Sequence, residues 1–184
     1  MKKVFFISVS MLLFLNQIMA QKYIARNGYI GFFSSTPMEN IEAHNYQASS
    51  VLDVESGEMV YSVLIKGFEF EKALMQEHFN EKYLESDKYP KSTFKGKILN
   101  MDQLDLSKDG VYNVEVEGDL TIKNVTKQIK VKGTLERKGS HIIAKAKFPA
   151  RVEDYNIHIP AMVKDNIAEV VDVDVNVDYE PYKK

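Results

Sequence analysis

Cysteine and tryptophan are both absent from the 184 residues. Without cysteine there is no disulfide, no thiolate nucleophile and no sulfur ligand for a metal. Stability is therefore expected to come from core packing alone. Several chemical signatures are missing as well. There is no G-x-S-x-G nucleophile turn, no glycine spacing of the Walker or Rossmann kind, and no H-E-x-x-H or H-x-x-x-H pair to hold a metal. An excess of basic charge is lacking too: 24 lysines and arginines face 26 acidic residues. Nucleic-acid binding asks for a basic patch or stripe, so no nucleic-acid partner is expected, and nothing favours an anionic membrane surface.

What is present begins with a short apolar run. Lys2 and Lys3 precede "VFFISVSMLLFL" (Val4 to Leu15), and "NQIMA" ends on the small residue Ala20. This is the layout of a secretory signal peptide, expected to span residues 1–20 with cleavage near Ala20. A membrane anchor is the alternative, but the run is shorter than the roughly 18 residues a span needs. No cysteine stands at the cut for lipid attachment. A freely soluble protein in the periplasm of a Gram-negative bacterium, or secreted, is expected. No later run is long enough to span a bilayer, so residues 21–184 are expected to form one domain.

That domain alternates. In "VYNVEVEGDLTIK", Tyr112, Val114, Val116, Gly118, Leu120 and Ile122 are apolar or small, and the intervening residues are polar. "KQIKVKGTLER", "SHIIAKAKF" and "EVVDVDVNVDY" repeat the pattern. Side chains on a strand point to alternate faces, so each run predicts a half-buried strand. Short links such as "KNVTK" and "RKGS" suit antiparallel hairpins. The first half is strand-like as well, with "ESGE" as a turn. Only "EFEKALMQEHFN" (Glu69 to Asn80) reads as helical, from its good helix formers and the i, i+4 pairs Leu74/His78 and Met75/Phe79. The fold class is therefore all-β: an antiparallel sandwich or barrel of roughly eight to nine strands with a short helix near residues 70–80. A barrel of the outer-membrane kind would turn its apolar face outward. The charged C-terminal "YEPYKK" and the density of Asp, Glu and Lys on the polar face argue for the reverse.

Two stretches carry a family resemblance. "HFNEKYLESDKYPKSTFKG" (His78 to Gly96) and "GDLTIKNVTKQIKV" (Gly118 to Val131) resemble the YceI-like family of exported bacterial proteins. They match its histidine-phenylalanine and Y-P-x-x-x-F region and its G-x-L-T-I-x-x-V-T-K strand and turn. The resemblance implies a lipocalin-like barrel that holds a polyisoprenoid or other long apolar chain, such as an isoprenoid quinone. A barrel of about eight strands can enclose one small ligand. The sequence departs from the family pattern in lacking tryptophan near the start of the mature chain, and in carrying Asn156 where glycine is usual after Arg151.

Under that reading Phe32, Tyr61, Phe68, Phe70, Phe79, Phe94 and Phe148 are the candidate residues lining an apolar cavity; the alternative is an ordinary filled core in a structural or interaction protein of the envelope. His78, beside Glu77 and Glu81, is expected to pack at the helix end and not to bind metal. His44, His141 and His158 stand singly. The acids of "DVDVNVD" lie on one strand face and lack the glycine of a calcium loop, and Ser34, Ser49 and Ser92 have no recognisable catalytic partners. No metal, no cofactor and no enzymatic activity are expected. Gly118 and Gly133, within strands, mark either curvature or room for a ligand. Edge pairing into a homodimer is left open.

Overall fold

The computed structural model describes residues 22–182; the expected signal peptide and its cleavage site lie outside them. The alternating runs become strands β1 (Lys22–Ser35), β2 (Asn40–Asp53), β3 (Glu58–Leu64), β5 (Lys91–Ile98), β6 (Gly110–Ile122), β7 (Val125–Lys138), β8 (His141–Arg151) and β9 (Val170–Pro181), with a two-residue β4 (Glu69–Phe70) and a helix α1 (Ala73–His78) between β3 and β5. The strands hydrogen-bond in the order β1-β9-β8-β7-β6-β5-β3-β2, and β1 pairs with β2 to close the ring. Every pairing is antiparallel. This is the eight-stranded barrel expected, with β4 added alongside β2. Closure gives every strand of the ring two neighbours.

Turn chemistry fixes the register. Ile122 pairs with Val125 across a two-residue loop, and both loop residues, Lys123 and Asn124, have positive φ, 49° and 61°. Such loops match the twist of the strands they join. In the β2–β3 turn the Asp53 carboxylate accepts the N–H groups of Glu55 and Ser56 at 3.0 and 3.2 Å, and Gly57 takes φ +76°. A side chain there would be strained, and its Cβ would meet the Ile98 carbonyl at 3.1 Å. Gly57→Ala is expected to lower stability by roughly 1–2 kcal/mol, read as a reduced urea midpoint at unchanged slope.

The period-two faces sort as charge requires. Val114, Val116, Leu120 and Ile122 of β6, Ile129, Val131 and Leu135 of β7, and Val171, Val173 and Val175 of β9 turn inward. Their neighbours Lys130, Lys145, Lys147, Asp174 and Glu115 pair on the outside. A lipid-facing barrel has the opposite arrangement. No helix among the described residues is long and apolar enough to cross a membrane.

One end of the barrel is packed shut. Tyr23, Leu52, Ile98, Leu135, Ile142, Val177 and Tyr179 are at most 1 % exposed. Met101, Leu104 and Leu106, from the segment joining β5 to β6, pack against this cluster. Tyr179 buries its hydroxyl in the plug, and it is satisfied there. Ser50 Oγ donates to the Val60 carbonyl at 2.8 Å and lies 2.6 Å from Tyr179 OH, which must then be the donor between them.

The helical segment differs from its expected limits. Glu69 and Phe70 pair with His44 and Ala43 as a strand, so the helix begins at Ala73. It does not stop at His78 but widens into a π-type turn, Phe79–Tyr83. The reason is packing. As strand, Phe70 meets Phe79 at a ring separation of 5.0 Å, and the same turn sets Phe79 5.6 Å from Phe32. Helix propensity in the stretch is overridden by this aromatic contact.

At the other end the wall is laced unevenly. β7 and β8 hydrogen-bond from Gly133–Ala146 to Lys138–His141 and no further. Beyond that point β8 carries Pro149, paired with Asp172 of β9. Proline has no N–H to offer on the β7 side and is tolerated where one strand edge is free. The 3-10 turn Val152–Tyr155 packs against β7 across the seam. It ends on Asn156 in the left-handed conformation, φ +55°. Asparagine tolerates this region better than most residues, so the exchange of glycine for Asn156 preserves the turn.

Candidate ligand-binding cavity

Inward-facing side chains near the plug are fully buried, but those further along the same strands are not. Val116, Leu120, Ile129, Phe148, Val171 and Val173 point inward yet are only half-buried, because they border empty space. That space is a cavity of about 510 Å³, within the roughly 300–1,000 Å³ range of small-molecule sites. Its wall is mostly aliphatic and aromatic, drawn from the strands of the ring, with β2 giving only Ile41, from α1 and the turn after it, and from the β8–β9 connection.

Phe32, Tyr61, Phe68, Phe70, Phe79, Phe94 and Phe148 all lie on this wall. They form two groups and one isolated ring. Phe32, Phe68, Phe70 and Phe79 make a four-ring cluster with centroid separations of 5.0–5.9 Å, where β1, β4 and α1 converge. Such pairs add to area burial. Tyr61 and Phe94, cross-strand partners on β3 and β5, meet near edge-on at 6.2 Å close to the plug. Burial raises the Tyr61 hydroxyl pKa, with hydrogen bonding to Tyr179 and Ser50 in opposition. It therefore stays a neutral phenol and contributes no charge to the floor. Phe148 stands alone on β8.

The glycines explain the ring of Phe94. Gly96 and Gly118 face each other across β5 and β6, and Phe94 lies over them: a Cβ on Gly118 would sit 2.7 Å from Phe94 Cζ. Gly133 is a different case. It borders the cavity, but a Cβ there would meet the Lys145 carbonyl at 2.6 Å and Ala146 Cβ at 3.2 Å. All three glycines therefore permit close approach within the wall.

Part of the wall escaped the sequence reading. Tyr155, Ile157, Ile159, Val163 and Ile167, from the connection between β8 and β9, line the cavity. The alternation Tyr155, Ile157, Ile159 was the available signal, obscured by Pro160 and by the absence of a regular element. A few polar groups also reach the wall: Ser34, Glu39, His78, Ser92, Thr93 and Asn166.

His78 sits on this wall and not at a helix end, since the chain continues helically through Tyr83. The acids around it face water. Glu85 binds Lys123 Nζ at 2.6 Å, which lowers the carboxyl pKa, and Asp87 binds Lys66 at 2.6 Å. Lys123 also donates to the Asn156 carbonyl at 3.2 Å, tying the β6–β7 turn to the connections on either side. His44 meets Tyr29 OH at 3.0 Å, His141 meets Asp178 at 2.8 Å, and His158 is exposed. Among the described residues no three His, Asp or Glu side chains gather as a metal site would require.

Comparison with known proteins follows the same outline. The family model for the YceI-like domain matches residues 27–179. No curated protein sequence matches the chain. Solved structures with a similar fold include a polyisoprenoid binding domain from Saccharophagus degradans, implicated in plant cell wall breakdown, with TM-score 0.76, 16% identity, and coverage of 89% of this chain and 99% of that one. BcnA of Burkholderia cenocepacia aligns with TM-score 0.69 at 16% identity over 82% of this chain and 95% of its own. A Campylobacter jejuni YCEI protein aligns with TM-score 0.55 at 16% identity over 77% and 85% respectively.

Proposed function

The chain belongs to the YceI-like domain family, and we propose that it binds a long apolar molecule, of the polyprenyl lipid or isoprenoid quinone kind, inside its barrel. One observation carries the reading: a cavity of about 510 Å³ whose wall is aliphatic and aromatic on nearly all sides. A filled barrel acting through its surface would have buried Val116, Leu120, Phe148 and Val173 fully; here they border open space. The similar fold of a polyisoprenoid binding domain supports the same ligand class.

Burial supplies the affinity. Each Å² of apolar surface removed from water contributes about 25 cal/mol, and each methylene about 0.8 kcal/mol. Binding of this kind needs no reacting group, which is why we read the protein as a carrier and not an enzyme. The N-terminal lysines and apolar run through Leu15 support export and a periplasmic or secreted location, where an apolar molecule needs shelter from water.

The test is extraction. The protein, purified without detergent, is extracted with organic solvent and the extract read by mass spectrometry. An apolar molecule is expected at close to one per chain. An empty extract, together with failure to take up offered polyprenyl lipids, would overturn the reading.

A further inference from the structure

The polar groups of the cavity wall are not scattered evenly. Glu39 in the β1–β2 turn is hydrogen-bonded to Asn166 in the β8–β9 connection, and Ser34 at the end of β1 is bonded to the backbone of the same connection. Asn166 Nδ2 donates to Glu39 Oε2 at 3.2 Å. Two residues on from Asn166, the Ala168 N–H donates to Ser34 Oγ at 2.9 Å, and the Ser34 hydroxyl proton remains to be donated in turn. Thr36 holds the turn, accepting the Glu39 N–H at 3.1 Å and donating to its carbonyl at 3.2 Å. The three side chains form one polar corner at the end opposite the plug.

The charge of that corner is the informative part. Glu39 is the one carboxylate on the cavity wall among the described residues. Its side chain is only 27% exposed. Its cation, Lys72, approaches Oε1 at 3.1 Å but is 62% exposed, so it meets the carboxylate from the solvent side. The lysine that borders the cavity, Lys145, sends its ammonium outward to Glu136 at 3.7 Å and is half exposed. Among the described residues no lysine or arginine of the wall therefore offers a free cation to the interior.

Resting on the reading of the barrel as an apolar-chain binder, we infer that the ligand carries an uncharged head with an O–H group, a long-chain alcohol or phenol, which Glu39, Ser34 and Asn166 receive while the chain lies against the aromatic cluster. A hydroxyl donates to the Glu39 carboxylate and accepts from Ser34 or Asn166. A phosphate or carboxylate head would bring like charge against Glu39 in a poorly solvated corner, and could gain Lys72 only by displacing Glu39 from it. The chain then points from this corner toward the plug.

The experiment compares three C20 isoprenoid probes on the full chain by displacement of a fluorescent apolar dye: the prenyl alcohol, its monophosphate and the headless hydrocarbon. The alcohol is expected to bind at least tenfold more tightly than either of the others. In Glu39→Gln the carboxylate charge is gone and Lys72 is released, so the preference over the phosphate is expected to fall below threefold. Equal or tighter binding of the phosphate to the unmodified protein would overturn the inference, as would a hydrocarbon that binds as well as the alcohol; both results leave the cavity reading standing. If none of the three binds, the cavity reading itself falls and this inference with it. The selectivity of the unmodified protein decides the matter whether or not the variant folds.

Discussion

Ala146→Phe is expected to reduce uptake of an apolar ligand by at least tenfold, about 1.4 kcal/mol or more, while the protein remains folded. Ala146 lies midway along β8, pairs with Gly133 on one side and Val175 on the other, and borders the cavity. A phenylalanine there projects into space, not into packed atoms, and divides the cavity across its length. Overpacking of a filled core costs about 1–3 kcal/mol. Here the void accepts the ring, so stability is expected to stay within about 1 kcal/mol of the parent. Dye displacement and a thermal melt on the same sample check both halves. A large loss of stability would mean that the cavity is smaller than its walls indicate, and unchanged uptake would move the ligand elsewhere.

Ile98→Ala is expected to do the reverse. Ile98 closes β5, is fully buried, and packs in the plug with Leu52, Leu135 and Ile142. Removing its outer carbons leaves a hole among neighbours fixed on other strands, Leu52 on β2, Leu135 on β7 and Ile142 on β8, which relax little. The loss is expected at about 3 kcal/mol, in the range for such truncations, and a melting temperature lower by roughly 6–12 °C. The surviving folded fraction should still bind, because the hole opens at the plug and not at the ligand's wall. Chemical denaturation followed by a binding titration at low temperature separates the two effects.

These two substitutions lie on the same period-two face, and the sequence treats them alike. Alternation told which side chains point inward: Val114, Ile129, Leu135, Phe148 and Val173 are all where their spacing puts them. It carried no information on whether inward means packed or merely enclosed, since a strand shows the same pattern in both settings. That difference depends on strand tilt and on how far each barrel end is stoppered, which is a property of the closed ring. The aromatic positions were legible as inward, but the convergence of Phe32, Phe68, Phe70 and Phe79 was not, because Phe70 and Phe79 depend on a strand pair and a widened turn within a stretch that reads as helix. The polar corner was invisible for another reason. Ser34, Glu39 and Asn166 are more than 120 residues apart at their extremes, lie at a strand end, in a turn and in a connection, and meet only through the closure of β1 on β2 and β9. The turn at Asn156 was seen as a departure, and its left-handed backbone shows why the departure is harmless.

The incomplete lacing between β7 and β8 bears on time more than on affinity. In a barrel hydrogen-bonded all the way round, releasing a buried chain through the wall would require unzipping a ladder, an event close in cost to unfolding. Between Val125–Lys132 and the far end of β8 there is no ladder to unzip. The Val152–Tyr155 turn must swing aside, with the Lys123 bond to the Asn156 carbonyl released. Openings of that kind lie at the low end of a protein's spectrum of local stabilities. Occupant exchange can thus run on the clock of a single turn, while the plug around Tyr179 and Ile98 keeps the slow clock of the whole fold.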